Sequence, residues 1–213
     1  IGLVTMLDKG EGLIASKLRP ISVTSVLYRL WASFHMRHIL EWQEEWACAF
    51  MFGFRPHRGC DDAFWDTALD VEHALLMAEP LSGCSIDFQK SFDRVPRAIV
   101  FALAEHMGFP APVLTALKTM YANLVRHFRI GGLVGKGFKI TRGILQGCPL
   151  SVVLLNIIME VWCRLISQKT GAKPKCYADD ATATVPGAPG PETLAQVINI
   201  TKDFADDTGM RMN

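Results

Sequence analysis

The sequence predicts an α+β fold in which an antiparallel sheet is backed by helices. Stretches with helical periodicity alternate irregularly with short β-prone runs. Two of these stretches, 126–142 and 173–185, each contain a pair of β-prone runs around a turn, which indicates hairpins of antiparallel strands. A regular alternation of strand and helix would instead predict a doubly wound parallel sheet.

Five helices are predicted from periodicity and from Pro and Gly punctuation. In the first, the sequence DDAFWDTALDVEHALLMAE places Phe64, Ala68, Val71 and Leu75 on one face, and Pro80 follows its end. The others are a helix opened by Pro96 and closed by Gly108, one over 112–124, one after Pro149, and one from about Glu192 to Gly209.

A short strand, Cys84–Phe88, lies between the first two helices. Cys84, Ile86 and Phe88 point to one side, and Ser85 and Asp87 point to the other, because successive side chains of a strand alternate. The strand therefore buries one face and leaves the Asp87 carboxylate on the opposite face.

Composition limits the class of protein. At 213 residues the chain suits one large domain or two small ones that share a core. The most apolar segment, 152–166, contains Asn156, Glu160 and Arg164 and is shorter than the roughly 20 residues of a membrane span, so it predicts a core helix and no membrane partner. The first ten residues do not have the basic start of a secretory signal.

The six cysteines are scattered and include no CxxC pair, which predicts reduced thiols in an intracellular protein, nuclear or cytoplasmic. His57 and Cys60 are close enough in sequence to share a metal ion, but no second pair lies nearby. The net charge of +1 does not by itself indicate a nucleic-acid partner, and nothing indicates an oligomeric state.

Acidic residues mark the candidate site. Asp87 emerges from a strand, and Asp179 and Asp180 lie at a hairpin tip. Adjacent carboxylates raise each other's pKa unless a cation lies between them. Three carboxylates gathered from a strand and a hairpin suit two Mg²⁺ ions about 3.5–4 Å apart. A solvated Asp-Asp turn and an exposed strand residue are the alternatives.

Five motifs in order extend this hypothesis. They are KLRPIS (17–22), FGFRPHRGCDDAF (52–64), SIDFQKSFDRVP (85–96), RGILQGCPLSVVLLN (142–156) and CYADDATA (176–183). Together they resemble the fingers and palm of reverse transcriptases, above all the non-LTR retrotransposon (LINE-like) branch, with group II intron enzymes as cousins. TGMRMN (208–213) is similar to the start of the next palm block.

The resemblance implies a right-hand polymerase fold without its thumb. Residues 1–80 would form a fingers-like segment and 81–213 mainly palm, with the nucleotide-binding turn and helix at 142–165. Two departures from the family pattern are Val152 after Ser151, where Pro is usual, and Leu155 at a position that is often aromatic. The sequence stops at Asn213, before a lysine that the family uses as a general acid, so a fragment is expected.

The resemblance also implies a metal site. Asp87 and Asp179 would be the principal ligands of two Mg²⁺ ions, with Mn²⁺ as an alternative. Asp180 would be the secondary ligand, and the backbone carbonyl of Phe88 would join Asp87.

The resemblance further implies three positions that bind nucleotide: Arg19 at the triphosphate, Phe92 as a block against a ribose 2′-hydroxyl, and Gln146 beside the incoming nucleotide. The alternatives are a solvated arginine, a core phenylalanine and an ordinary turn. Asp93 is expected to brace the turn that follows it.

Basic residues form two local clusters. Arg55 and Arg58 are predicted to contact template or primer phosphates. The second cluster, in the hairpin 126–142, fits either phosphate contact or solvation.

The predicted function is an RNA-directed DNA polymerase core that adds deoxynucleotides to a primer 3′-hydroxyl. Its partners would be an RNA template, a DNA primer and deoxynucleoside triphosphates. The main alternative is a catalytically inactive, truncated nucleic-acid-binding remnant. An RNA-directed RNA polymerase, which shares the palm, is a more distant alternative.

Overall fold

The computed structural model describes residues 2–7, 18–130 and 132–213. Lys17, the first residue of the KLRPIS motif, and Gly131, in the predicted hairpin turn, lie outside the described residues. The strands are β1 (Gly2–Leu7), β2 (Arg19–Val23), β3 (Leu81–Asp87), β4 (Arg126–Ile130), β5 (Leu133–Val134), β6 (Lys173–Tyr177) and β7 (Asp180–Pro186). The helices are α1 (Val26–Trp46), α2 (Cys60–Met77), α3 (Ser91–Arg94), α4 (Arg97–His106), α5 (Ala111–Asn123), α6 (Pro149–Thr170) and α7 (Gly190–Thr208).

A three-stranded antiparallel sheet with the order β3-β7-β6 forms the base of the candidate site. β6 and β7 are the predicted hairpin, and their register places Tyr177 opposite Asp180. On the other side of β7, Asp180 lies opposite Asp87 at the end of β3. α6 and α7 pack against this sheet, and α2 also contacts all three of its strands. The predicted α+β class, with helices backing an antiparallel sheet, is confirmed.

A second sheet has the order β2-β1-β4-β5. β1 pairs antiparallel with β2 and parallel with β4, so segments far apart in sequence become neighbours. β1 and β2 come from the range 1–80, whereas β4 and β5 come from 81–213. The two predicted domains therefore share one sheet, and a boundary near residue 80 stays a prediction.

The core is centred on α6. Within this helix Leu154, Ile158 and Trp162 are completely buried. By length and composition α6 is the one helix among the described residues that is able to cross a membrane, but 72% of its most apolar window is buried inside the protein. The prediction that 152–166 is a core helix is confirmed.

α2 forms where a helix was predicted, but it packs through a different face. The side chains of Phe64, Val71 and Leu75 are exposed. The contact with the sheet instead involves Ala74, which is buried, and Asp70, which bonds to residues of β6 and β7. The apolar face predicted for this helix is therefore wrong, because ion pairs and a small side chain make the contact.

Candidate active site

An open cavity of about 830 Å³ lies at the meeting point of the two sheets and α3. Six of the predicted site side chains line it, and so does Phe88, which was predicted to contribute its backbone carbonyl. The predicted site residues on its wall are Arg19, Asp87, Phe88, Phe92, Gln146, Asp179 and Asp180. Arg55 and Arg58 are not among its described lining residues.

Three carboxylates share one rim of this cavity. Asp87 and Asp180 face each other across β3 and β7, and Asp179 precedes Asp180 in the hairpin turn. Burial raises the pKa of Asp180, and the negative charges of Asp179 and Asp87 raise it further. The rim is therefore a place where a bound cation would relieve electrostatic repulsion.

Neutral donors hold two of these carboxylates. The Ser91 hydroxyl donates a hydrogen bond of 2.6 Å to Asp179 Oδ2. The Asn213 side-chain amide donates to Asp87 Oδ2, and its backbone N–H donates to the Asp87 carbonyl at 3.0 Å. Neither donor is ionised, so these bonds place no positive charge beside the carboxylates.

The donor types fit a hard divalent cation, which prefers carboxylate and carbonyl oxygens. Directly opposed residues on adjacent strands have Cβ atoms about 4.5–5.5 Å apart, so Asp87 and Asp180 are close enough to share an ion. The Phe88 ring is buried against Trp162 and Phe204, which leaves its backbone at the cavity. In the described part of the chain no group of three His, Cys, Asp or Glu side chains already forms a metal-ligand set. The metal cluster stays a prediction.

The position of Phe92 is set by a loop-to-helix contact. Ile144 N–H donates a hydrogen bond of 2.7 Å to the Phe92 carbonyl. Gly143 has a φ of +77°, and a Cβ there would lie 2.5 Å from the Asp93 carbonyl oxygen, so only glycine permits this approach. The half-buried Phe92 ring both packs against the core and lines the cavity. This placement fits equally a core residue and the predicted block against a ribose 2′-hydroxyl. Asp93 takes part in the close contact with Gly143 through its backbone, and its role in bracing the turn stays a prediction.

A second close contact joins β2 to the turn at Gln146. Ser22 N–H donates to the Gln146 carbonyl at 2.8 Å. Gly147 has a φ of +105°, and a Cβ there would lie 2.9 Å from the Ser22 carbonyl oxygen. This contact docks β2 on the turn before α6 and brings Arg19, the first residue of β2, to the same cavity as Gln146.

The FGFRPHRG motif packs against the tip of the β6-β7 hairpin. Gly53 lies so close to the tip that a Cβ would be 2.5 Å from the Ala178 backbone nitrogen. Asn156 of α6 holds this loop by donating to the Gly53 carbonyl at 2.9 Å and to the Gln43 side-chain oxygen at 3.1 Å. In the sequence Asn156 is a polar interruption of an apolar segment, and that interruption is the available signal for its supporting role.

Arg55 is engaged within the protein. Its guanidinium makes a paired contact with the Glu44 carboxylate at 2.9 and 2.7 Å and donates to the Cys48 and Met51 carbonyls. Only 6% of its side chain is exposed. In this structure the Arg55 donors brace the loop, and the phosphate contact of Arg55 stays a prediction.

Arg58 also bonds to its own loop. Its guanidinium donates to the Ala49 carbonyl at 2.7 Å and lies 5.3 Å from the centre of the Phe52 ring. Its contact with phosphates stays a prediction.

Comparisons with known proteins agree with the ordered motifs. Residues 7–213 match the family model described as "Reverse transcriptase (RNA-dependent DNA polymerase)". The chain is 25% identical over 205 residues to the Drosophila melanogaster "Retrovirus-related Pol polyprotein from type-2 retrotransposable element R2DM", a match that covers 92% of this chain and 19% of the relative. It is 32% identical over 110 residues to the Xenopus laevis "Transposon TX1 uncharacterized 149 kDa protein", covering 47% of this chain and 8% of that protein.

Solved structures with a similar fold include telomerases. The apo telomerase of Candida tropicalis truncated from its C-terminal domain superposes with a TM-score of 0.70 at 11% identity, over 100% of this chain and 48% of the telomerase chain. The telomerase of the same organism in complex with a fragment of telomeric RNA has a TM-score of 0.70 at 13% identity, over 100% of this chain and 39% of its own. The chain thus spans about a fifth of the Drosophila relative and less than half of either telomerase chain.

Proposed function

This chain belongs to the reverse transcriptase family, as a segment of the non-LTR retrotransposon kind, and from that premise we propose that it forms the polymerase site of an RNA-directed DNA polymerase. The observation that carries the proposal is the shared cavity. Its wall contains the three carboxylates Asp87, Asp179 and Asp180 together with the candidate nucleotide-binding residues. The reaction would add deoxynucleotides to a primer 3′-hydroxyl opposite an RNA template.

Asp87 and Asp179 would be the principal ligands of two Mg²⁺ ions, or of Mn²⁺ in their place, with Asp180 and the Phe88 carbonyl as additional oxygen donors. Members of this family generally use divalent metal ions. When bound, such ions lower the pKa of an attacking hydroxyl and stabilise the charge on the leaving pyrophosphate. The chain itself contributes the charge that attracts the ions and the rigid sheet that positions the carboxylates.

The substrates would occupy the remaining wall of the cavity. Arg19, at the start of β2, would pair with the triphosphate, since a planar guanidinium suits phosphate oxygens. Gln146 would lie against the incoming nucleotide, and Phe92 would exclude a 2′-hydroxyl. An RNA template and a DNA primer are the proposed macromolecular partners, and the site of action is proposed to be intracellular, as expected for a retrotransposon protein.

Primer extension tests the proposal. The protein would join this chain at Asn213 to the segment that follows the matching residues in the Drosophila relative. Extension of a DNA primer on an RNA template should require Mg²⁺ and should be lost in Asp179→Asn. The matched control, Asp203→Asn, changes an exposed carboxylate on α7 and should extend normally.

Two outcomes would contradict the polymerase proposal. Extension that survives Asp179→Asn would show that this carboxylate is not part of the reaction. A folded, RNA-binding protein that extends no primer would favour the inactive remnant.

A further inference from the structure

Ser91 connects two distant parts of the candidate site. It is the first residue of α3, and only 1% of it is exposed. Its hydroxyl donates to Asp179 Oδ2 at 2.6 Å, across 88 positions of sequence. The contact is therefore a partly buried hydrogen bond between α3 and the hairpin tip where Asp179 and Asp180 lie.

Each partner of this hydrogen bond follows a non-glycine residue with a positive φ angle. Lys90, before Ser91, has a φ of +50°, and Ala178, before Asp179, has a φ of +59°. Residues with a Cβ adopt this left-handed conformation at a cost in free energy, and such strain concentrates at functional sites. The close approach of Gly53 also restricts the backbone of Ala178. The backbone on each side of the bond is thus held in a defined conformation.

A carboxylate binds a metal ion more tightly when a hydrogen bond to one of its oxygens fixes its orientation. The Ser91 bond occupies Oδ2 of Asp179 and leaves Oδ1 for a cation. A short bond from an uncharged donor restricts rotation of the carboxylate without neutralising it, unlike a bond from lysine or arginine. The donor therefore restricts the ligand's orientation and preserves its attraction for a cation.

We propose that Ser91 is a positioning residue that orients the Asp179 carboxylate for cation binding. This inference rests on the metal-dependent function proposed above. Partners that orient metal ligands in this way typically change metal affinity by about 10- to 100-fold when they are removed.

Mn²⁺ binding tests this role without turnover. Free Mn²⁺ would be measured by electron paramagnetic resonance during titration of the unsubstituted chain, Ser91→Ala and Ser91→Thr. Ser91→Ala should bind Mn²⁺ about tenfold more weakly, and Ser91→Thr, which keeps the hydroxyl, should bind nearly as well as the unsubstituted chain. Thr201→Val is the control, since it removes another buried hydroxyl, which donates to the Val197 carbonyl at 2.7 Å within α7 and does not line the cavity. Its Mn²⁺ affinity should not change.

A second pair of variants guards against misfolding. Thr and Val have nearly the same shape, so Ser91→Thr and Ser91→Val differ mainly in the hydroxyl. Ser91→Val should bind Mn²⁺ more weakly than Ser91→Thr. In the protein joined to the Drosophila segment, Ser91→Ala should raise the Mg²⁺ concentration needed for half-maximal extension more than it lowers kcat at saturating Mg²⁺.

Three results separate the inference from the proposed function. If the unsubstituted chain binds Mn²⁺ and the folded Ser91→Ala variant binds it equally well, the positioning role is wrong. Tighter binding by Ser91→Ala would also overturn it, because the hydroxyl would then compete with the cation for Asp179. If the unsubstituted chain binds no Mn²⁺, the metal-dependent function itself fails, and the inference fails with it.

Discussion

Asp180 carries its negative charge where two other carboxylates repel it. Burial, and then Asp179 and Asp87, raise its pKa above the ordinary value. A group whose pKa is raised in the folded state destabilises that state at a pH where it must be ionised. In the absence of a cation, we therefore expect the Asp180 charge to lower the stability of the fold at neutral pH, by a small amount because this side chain is exposed and water screens its charge.

We expect Asp180→Asn to raise the free energy of unfolding at pH 7 when divalent cations are chelated. The gain should shrink as the pH falls through the raised pKa of Asp180, because the unsubstituted carboxyl then becomes neutral as well. Urea unfolding at pH 7 and pH 3 measures both effects, with Asp203→Asn as an exposed control. A lower stability of Asp180→Asn at pH 7 would contradict this account of the rim.

Phe92 has two possible roles, as a core residue or as a block against a ribose 2′-hydroxyl. Its ring is half-buried, packs against the core and lines the cavity. In the protein joined to the Drosophila segment, Phe92→Ala should raise incorporation of ribonucleotides relative to deoxynucleotides. The control is Phe101→Ala, which removes a ring packed against Tyr121 in another part of the core. Unchanged discrimination by Phe92→Ala would assign this ring to the core alone.

Sequence could predict the residues with distinctive chemistry but not their supporting partners. Asp87 and Asp179 stand out in the sequence because carboxylates in these motifs suit metal binding. Ser91 and Asn213 do not stand out, since a hydroxyl or an amide bonds to whatever the backbone brings near it. The pairing of Arg55 with Glu44 was also not predictable, because no local pattern relates an arginine beside glycines to a glutamate of the preceding helix.

At the scale of elements, α2 shows how hydrophobic periodicity can mislead. The pattern identified the helix, yet the face that meets the sheet contains Asp70. Lys173 and Lys175 of β6 and Thr184 of β7 all donate to that carboxylate. These partners lie over a hundred positions away, so no local pattern predicts which face of the helix they select.

The Asp70 network predicts a specific dependence of stability on pH. Burial acts to raise the pKa of Asp70, but hydrogen bonds from Lys173, Lys175 and Thr184 outweigh it and lower the pKa from 3.8 to about 2. A lowered pKa contributes stability that is fully present above the unfolded value and is lost as the pH falls through the folded value. The contribution should therefore decline between about pH 4 and pH 2.

Asp70→Asn should lower the free energy of unfolding at pH 7 by about 3 kcal/mol, because it leaves the buried Lys175 ammonium poorly compensated. Only 1% of the Lys175 side chain is exposed. The difference from the unsubstituted chain should shrink near pH 2. Asp66→Asn is the matched control, since Asp66 is half-exposed, pairs with the same ammonium at 3.3 Å, and should cost less than about 1 kcal/mol. Equal effects of the two substitutions in urea unfolding would contradict the assigned network.

The elements before residue 60 show a second reason why local sequence predicts only part of the fold. α1 begins where Ser25 caps the Tyr28 N–H, which is a signal that the sequence contains. β1, in contrast, pairs in parallel with β4, more than a hundred residues later. Such a pairing depends on tertiary contacts, and the local sequence of a short strand does not specify it.

At the scale of the whole molecule, the ordered motifs predicted the fold better than periodicity alone. The similarity to telomerase structures at a TM-score of 0.70 confirms the expected right-hand fingers and palm arrangement. The predicted division into two segments is less distinct, because the sheet β2-β1-β4-β5 combines strands from both. Strands that are distant in sequence are neighbours in this sheet, and amino-acid composition does not indicate which strands pair.

The charge distribution predicts weak binding of nucleic acid by residues 1–213. The net charge is +1, and the guanidinium of Arg55 is already paired with Glu44. Each phosphate that a protein neutralises adds about 0.9 to the slope of log affinity against log salt for a duplex, so few neutralised phosphates give a shallow slope and low affinity. We expect weak binding of a primer–template duplex, which added salt weakens only with a shallow slope, and little or no primer extension by this chain alone.

Joining the C-terminal segment of the Drosophila relative should strengthen duplex binding and increase extension, because additional contacts would hold the primer end at the three carboxylates. Asp179→Asn in the joined protein should remove extension while leaving duplex affinity nearly unchanged, since this residue is assigned to the metal site and not to the duplex. Fluorescence anisotropy at several salt concentrations measures the affinity and its slope, and extension is measured on the same samples. Robust processive synthesis by residues 1–213 alone would refute the expectation, because it would require a grip on the duplex that these charges do not provide.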